Sequence, residues 1–171
     1  MDFKKIQQYF PLLLLVSAII LAVMAFFPAI KVDADNMITG LKTAFGGFAD
    51  NITIGGNTLG KDSGFQIMNF LAFFGPAVIA IIAAVLGALG KNKGLIAIII
   101  GMATALFFVL ALVFLINIRT NTYYEFTLFG TTTKATFKEA DLGWGAIVAM
   151  IFAGVGAVVS VLNAVIGILK K

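Results

Sequence analysis

The chain of 171 residues contains no cysteine and no histidine. Without cysteine it has no disulfide, no thiolate nucleophile and no thiolate metal ligand. Without histidine it lacks the commonest metal ligand and the commonest general base near neutral pH. These absences predict a protein with no catalytic residue, no metal site and no bound cofactor, so an intramembrane enzyme is the least favoured class of function.

Charged residues are also scarce. Only 12% of the residues are charged and 61% are hydrophobic, whereas a soluble domain carries about a quarter charged and under half apolar residues. The mean hydropathy is +1.06. A chain of this length has no core large enough to bury so much apolar surface, so the lipid bilayer is predicted to be part of its solvent.

Four long apolar runs contain no Asp, Glu, Lys or Arg, and they cover about 10–30, 65–89, 94–118 and 142–169. Each reaches the roughly 20 residues that a helix needs to cross a ~30 Å hydrocarbon core. A helix is required because an unpaired backbone group in lipid costs several kcal/mol. The predicted fold is one membrane domain, 1–171: an all-α, left-handed, antiparallel four-helix bundle of the tetraspan type.

The first run has an alternative interpretation. Lys4 and Lys5 followed by the apolar stretch Leu12–Leu15 resemble a signal peptide. The run is long enough to span a bilayer, which favours an uncleaved anchor helix.

The orientation follows from the lysines near the helix ends. The two faces of the predicted bundle carry equal numbers of basic residues, but on one face these lie in very short segments, where the positive-inside rule applies. The short segments hold Lys4, Lys5, Lys91, Lys93, Lys170 and Lys171. Both termini are therefore predicted to be cytoplasmic, in a multi-pass protein of the plasma membrane. Because the basic residues mark helix ends, a nucleic-acid partner is not expected.

The two outer segments, 31–64 and 119–141, have the character of β-structure. In the first, Ile52–Ile54 and Thr58–Leu59 flank Gly55-Gly56-Asn57, which predicts a hairpin, and Ile38–Phe45 is a candidate strand. In the second, Thr122–Phe129 and Thr131–Phe137 flank Gly130. An isolated hairpin is marginal in water. The two segments are therefore expected to form one small extracellular antiparallel sheet that caps the bundle.

Small residues recur at four-residue spacing along the predicted helices. Helices in lipid associate through close packing, which small residues allow. The plain interpretation is packing within one bundle, while a second small face on the last helix could contact another subunit. The candidate packing residues are Gly145, Ala149, Ala153, Ala157, Gly156, Ser160, Ala164, Ala97, Gly101 and Ala105.

Two polar features are weak candidates for a site. Asn163 lies within an apolar run, where a side-chain amide more often forms a hydrogen bond between helices than contacts a substrate. The acidic stretch Asp33-Ala34-Asp35-Asn36 lacks the ligand spacing and the glycine of a calcium loop, which favours a solvated turn.

The overall plan resembles the claudin-like tetraspan membrane proteins: four spans, cytoplasmic ends, and a longer and a shorter outer segment that are both rich in β-structure. The resemblance implies a four-helix bundle beneath an extracellular sheet, with a role in adhesion, junctions or auxiliary subunits. That family's first outer segment carries a Trp-rich motif with a cysteine pair. Here the only tryptophan is Trp144 and cysteine is absent, so no family residue carries over.

The expected function is that of a non-enzymatic membrane interaction or structural protein. Its outer sheet, with the last helix as a second candidate surface, would mediate self-association into a homo-oligomer or bind a membrane-protein partner. The alternative is an oligomeric passive pore or a protein that handles small solutes or lipids; a pore would have to form between subunits, since one bundle supplies no polar lining. The candidate partner-binding residues are Tyr123, Tyr124, Phe126, Phe45 and Phe48.

Overall fold

The computed structural model describes residues 9–34, 36–48, 53–54, 57–58, 61–62, 64–89, 94–128 and 131–169. Most of these residues are helical. The helices are α1 (Phe10–Met24), α2 (Gly40–Phe45), α3 (Ile67–Ala88), α4 (Gly94–Ile116), α5 (Ile118–Asn121) and α6 (Trp144–Leu169). The strands are β1 (Pro28–Lys31), β2 (Met37–Thr39), β3 (Thr53–Ile54), β4 (Asn57–Thr58), β5 (Lys61–Asp62), β6 (Tyr123–Leu128), β7 (Thr131–Thr136) and β8 (Asp141–Leu142).

Three helices, α3, α4 and α6, are long and apolar enough to cross a membrane. They lie within the predicted runs 65–89, 94–118 and 142–169. The fourth apolar helix, α1, has 15 residues. The structure corrects the outer end of the first run: residues 28–31 belong to β1, and Ala29 and Ile30 are fully buried there. The apolar run continues past the helix because these side chains enter a protein core, which hydropathy does not distinguish from lipid.

The four apolar helices form a ring in which α1 and α4 each pack against both α3 and α6. Inside the ring, Leu21, Phe73, Phe108 and Leu115 are fully buried. The outward positions are large and apolar as well; Leu95, for example, is 68% exposed. Soluble monomers rarely expose a contiguous apolar patch of more than a few hundred Å². An apolar exterior around the helices is typical of contact with lipid.

The strands form three small antiparallel sheets at one end of the bundle, called the sheet end; the opposite end is called the far end. The sheet orders are β2-β1-β8, β3-β4 and β5-β6-β7. The two predicted hairpins, β3-β4 and β6-β7, are confirmed. The pairing of β5 with β6 joins the two outer segments, as expected. The prediction of a single sheet was wrong, because β1 and β8 pair with each other close to the helix ends.

The candidate strand Ile38–Phe45 is also corrected, since only its first two residues are in β2 and Gly40–Phe45 forms α2. The side chain of Thr39 accepts a hydrogen bond from the backbone N–H of Lys42 at 3.3 Å, which caps the first turn of this helix. Thr43 and Ala44 are fully buried against the bundle. The cap and this contact favour a helix over the extended form that the local sequence suggested.

Two of the sheets, β2-β1-β8 and β5-β6-β7, share a core with the helices. Ile38, Phe48 and Phe137 belong to the same buried cluster as Phe73 and Phe108, and Tyr124 and Leu142 pack against it. These sheets and α2 are therefore packed onto the helices as part of one hydrophobic core.

Candidate functional site

The β6-β7 hairpin is the longest regular feature of the cap. Its register is continuous over six pairs, from Tyr123↔Thr136 to Leu128↔Thr131. The ammonium of Lys134 lies 3.3 Å from Glu125 Oε1 and 4.9 Å from the centroid of the Tyr123 ring. The single charge on β7 is thus directed over the neighbouring strand of the same hairpin.

The outer edge of β7 is accessible. β7 is the last strand of its sheet, and no other described strand lies along its second edge. Proteins usually protect such an edge with proline, a bulge, a very short strand or outward charges. β7 has six residues, no proline and no register shift. Its one charge, Lys134, is 64% exposed and pairs with Glu125 of the neighbouring strand. The edge therefore has little protection against pairing with another strand.

A cluster of phenylalanine side chains lies where the first outer segment meets α3. The ring centroid of Phe45 lies 5.7 Å from those of Phe65 and Phe70 and 6.5 Å from that of Phe74. Phe45 is 50% and Phe65 is 56% exposed. Aromatic side chains gather at the interface between a bilayer and water. This phenylalanine cluster can fix the level at which the cap leaves the lipid.

A second aromatic group lies at the start of α6. The rings of Phe27 and Trp144 are 4.5 Å apart, and Trp144 is about half exposed. Phe26 is 64% exposed. The sheet end therefore carries exposed aromatic residues near the starts of both α3 and α6.

The predicted partner-binding aromatics occupy different environments. Phe45 is exposed, whereas Tyr123 and Phe126 are half-buried on the hairpin. Tyr124 packs on Phe137 with centroids 5.0 Å apart. Phe48 is 1% exposed. Phe48 is corrected from a candidate partner contact to a core residue, because the turn that precedes it directs its ring into the core.

That turn is held by the carboxylate of Asp62. One oxygen accepts hydrogen bonds from the backbone N–H groups of Gly47 and, at 3.1 Å, Phe48; the other accepts from Gly64 at 2.9 Å. Gly46 and Gly47 have φ of 85° and 82°, a region that residues with a Cβ rarely adopt. Asp62 also lies in β5, opposite Tyr124. Asp62 thereby connects two parts of the cap: its carboxylate holds the turn after α2, and its backbone pairs with the second outer segment. The sequence did not predict this role of Asp62.

A second buried connection centres on Asn69, which is fully buried near the start of α3. Its amide nitrogen donates hydrogen bonds to the carbonyl of Thr43 and to Thr122 Oγ1, both at 2.9 Å. The hydroxyl of Thr122 in turn donates to the carbonyl of Ile118 at 2.8 Å. Asn69 Oδ1 is buried and has no hydrogen-bond partner within the described ranges. These bonds fasten α2 and α5 to α3, so the role of Asn69 is structural.

The small residues predicted for packing divide into two groups. On α6 the buried members of the set are Gly145, Ala149, Ala153, Gly156, Ala157 and Ser160; the side chain of Ala164 lies outside the described residues. On α4 the members are only half-buried: Ala97, Gly101 and Ala105. The row on α6 lies at close helix contacts, while Ala97 and Gly101 line a cavity.

This far-end cavity has a volume of about 570 Å³ and is lined by all four apolar helices. Most of the lining is Leu and Ala, with three uncharged polar side chains: Thr104, Ser160 and Asn163. The two hydroxyls donate to carbonyls of their own helices, Thr104 to Ile100 at 2.7 Å and Ser160 to Ala157 at 3.0 Å. Their oxygens can still accept hydrogen bonds. Asn163 is half-buried and makes no hydrogen bond within the described part of the chain.

In the acidic turn, the described residues Asp33 and Asn36 are hydrogen-bonded to each other. Asp33 accepts hydrogen bonds from the backbone and side-chain nitrogens of Asn36 at 2.7–2.9 Å, and Asp35 lies outside the described residues. Across the described ranges, no three acidic residues are grouped so that they could hold a metal ion. A comparison of the chain with protein-family models, curated proteins and solved structures finds no match, and the claudin-like resemblance stays a prediction.

Proposed function

We propose that the chain is an integral membrane protein with four spans, α1, α3, α4 and α6, and that the cap faces the outside of the cell while both termini are cytoplasmic. Three helices of span length, an apolar exterior and exposed aromatic residues at the sheet end support this placement. In the sequence, the short lysine-bearing segments adjoin the helix ends of the far end, which supports a cytoplasmic location for that end.

Within that placement, the proposed function is a non-enzymatic structural role: the protein associates with copies of itself through its cap. The observation that carries the proposal is the outer edge of β7, which is regular and carries a single charge, with Thr131, Thr133 and Thr136 exposed. Threonine has a strong preference for strands. Addition of a strand to an exposed edge is a common way in which proteins recognise one another.

A two-fold pairing of β7 with the same strand of a second copy satisfies the charges. If the two-fold axis passes beside Thr133, facing side chains lie on the same side of the sheet, so Thr133 faces the partner's Thr133 and Lys134 faces the partner's Thr132. No like charges then face each other. Cross-strand threonine pairs contribute roughly 0.2–1 kcal/mol each. A second copy is therefore a chemically matched occupant of this edge.

The alternative function that the sequence suggested, a passive pore, has less support than self-association. A pore between subunits needs a polar helix face. The exposed large side chains along the described helices include Ile81, Leu95, Met102 and Val158, all apolar. Helix faces of this kind suit lipid or close helix contact.

Self-association can be tested with opposite charges at one position. T132K would place a second positive charge against the partner's Lys134, and T132E would place a negative one there. Native mass spectrometry of the protein released from lipid nanodiscs should show dimers for the wild type and T132E and monomers for T132K. Lys138→Glu, an exposed change outside β7, is the matched control and should keep the dimer. A wild type that is monomeric, or T132K that is as dimeric as the wild type, would overturn the proposal.

The orientation can be tested separately, because a chain without cysteine gives no labelling background. Single cysteines are introduced as E139C, at the sheet end, and as N92C, between Lys91 and Lys93 in the sequence that links α3 and α4. A membrane-impermeant maleimide on intact cells should label E139C, and should label N92C only after permeabilisation. The reverse pattern would place the cap in the cytoplasm.

A further inference from the structure

The far-end cavity has no part in the proposed self-association. At the sheet end the ring of helices is filled by Phe73 and Phe108, whereas around the cavity the lining residues are small, such as Ala83 and Gly101. Protein interiors contain few voids larger than a water molecule. This cavity is open on one side, where Leu12 and Leu15 are exposed, so its space of about 570 Å³ is accessible to molecules of a surrounding bilayer.

The polar groups of the lining define what the occupant can be. Among the described residues the lining contains no charged side chain, so these residues offer no counter-charge to a charged headgroup. Thr104 and Ser160 offer acceptor oxygens, since their protons are donated to their own helices. The amide of Asn163 offers both donors and an acceptor. One hydroxyl group matches this set, because it donates one hydrogen bond and accepts others.

An apolar groove continues from the cavity along the outside of α1 and α3. It has a volume of about 240 Å³ and shares Leu15 and Ala80 with the cavity. Its lining is entirely apolar and reaches Phe26 and Phe74 near the sheet end. A long hydrocarbon tail could leave the cavity along this path and remain in contact with protein.

We propose that the far-end cavity binds a neutral lipid alcohol. Its hydroxyl bonds to the polar group formed by Thr104, Ser160 and Asn163, its body fills the cavity, and its tail follows the groove. The proposal rests on the membrane placement given above but not on the self-association. The competing occupant is an ordinary phospholipid acyl chain, which would fill the same space without a hydrogen bond.

A comparison of three probes tests the choice of ligand. The full chain in phosphatidylcholine nanodiscs is titrated with hexadecanol, with its methyl ether, and with palmitate, and bound ligand is counted by native mass spectrometry. The alcohol should bind one to one and about five- to tenfold more tightly than the ether, because the ether cannot donate a hydrogen bond. Equal binding of alcohol and ether, tighter binding of palmitate, or retention of phospholipid alone would overturn the proposal.

Variants then locate the site. The triple variant T104V/S160A/N163L should remove the preference for the alcohol over the ether, because none of the three hydrogen-bonding side chains then remains. Gly101→Leu should abolish binding of both, since a side chain at Gly101 would enter open space in the cavity. Gly154→Leu is the matched control: Gly154 also has nothing within 4 Å of its added Cβ, but it does not line the cavity. Full binding by G101L, or an alcohol preference that survives in the triple variant, would contradict the site. T132K should bind normally, which separates this result from the test of self-association.

Discussion

The ring of Phe108 occupies the space that a side chain at Gly156 would need. A Cβ built on Gly156 would lie closer to the Cδ1 and Cε1 atoms of Phe108 than real Cβ atoms come to their neighbours. Gly156 is on α6 and Phe108 is on α4, so the absence of one side chain permits the closest approach of these two helices. Two residues earlier on α6, Gly154 has nothing within 4 Å of the same added atom.

Gly156→Ala is therefore expected to destabilise the bundle, and Gly154→Ala is not. Crowding a packed core costs about 1–3 kcal/mol, which corresponds to a fall in Tm of roughly 2–4 °C per kcal/mol for a chain of this size. G154A should be neutral or slightly stabilising, because alanine has a helix propensity about 1 kcal/mol better than glycine. Thermal unfolding in detergent measures both. Combining G156A with Phe108→Leu should restore part of the loss. A Tm of G156A that is no lower than that of G154A would mean that Gly156 and the ring of Phe108 are not in close contact.

The hydrogen bond between Asn69 and Thr122 should appear as a coupling energy. In a double-mutant cycle, Asn69→Ala and Thr122→Val should each lower the free energy of unfolding. The sum of these two decreases should exceed the decrease in the double variant by about 0.5–1.5 kcal/mol. Unfolding free energies in detergent give the cycle. Thr120, whose hydroxyl bonds to the carbonyl of Asn117 on an exposed surface, provides the control partner, and Asn69→Ala with Thr120→Val should be additive. Additivity for both pairs would mean that the Asn69–Thr122 bond contributes nothing.

The role of Asp62 can be measured as protection of backbone amides. Asp62→Asn should speed hydrogen exchange at Gly47 and Phe48 about tenfold or more, because a hydrogen bond to a charged group contributes roughly 1.5–3 kcal/mol. Glu139→Gln removes a charge from an exposed side chain of the same cap and should leave these amides unchanged. Exchange followed by mass spectrometry resolves the segment. Equal protection in D62N and E139Q would show that the carboxylate does not hold the turn.

The sequence predicted those parts of the fold that local signals determine. The uncharged runs predicted α3, α4 and α6, and the glycines around Asn57 and at Gly130 predicted both hairpins. The outer end of α1 was misplaced, since Ala29 and Ile30 are as apolar as a membrane segment although they are buried in protein. The helix α2 was predicted as a strand, because its sequence has a weak strand pattern. Its helical form depends on the cap from Thr39 and on burial against residues that are distant in the sequence.

The far-end cavity shows why a site can escape a reading of the sequence. Ala97 and Gly101 have the spacing of close helix packing, as do Ala149 and Ala153 on α6. Whether small residues bring helices together or leave a void depends on the size of the side chains opposite them. Phe108 fills the space beside α6, whereas Ala83 faces the cavity. That difference arises from the three-dimensional pairing of helices, which no single segment encodes.

The start of α6 provides the strictest test of how the cap joins the helices. The backbone N–H of Gly143 donates to the carbonyl of Ala29 at 2.9 Å, and an added Cβ would collide with the carbonyl of Pro28 and lie 2.9 Å from the nitrogen of Ala29. Backbone atoms cannot rotate away as side chains can, so Gly143→Ala should cost at least the roughly 3 kcal/mol at the upper end of ordinary overpacking. The comparison is Gly47→Ala, which has open space but a positive φ and should cost only about 1 kcal/mol of backbone strain. Size-exclusion yield and Tm in detergent should fall much further for G143A than for G47A. The opposite order would mean that the contact between Gly143 and β1 yields easily, and that the first sheet does not fix the cap to the helices.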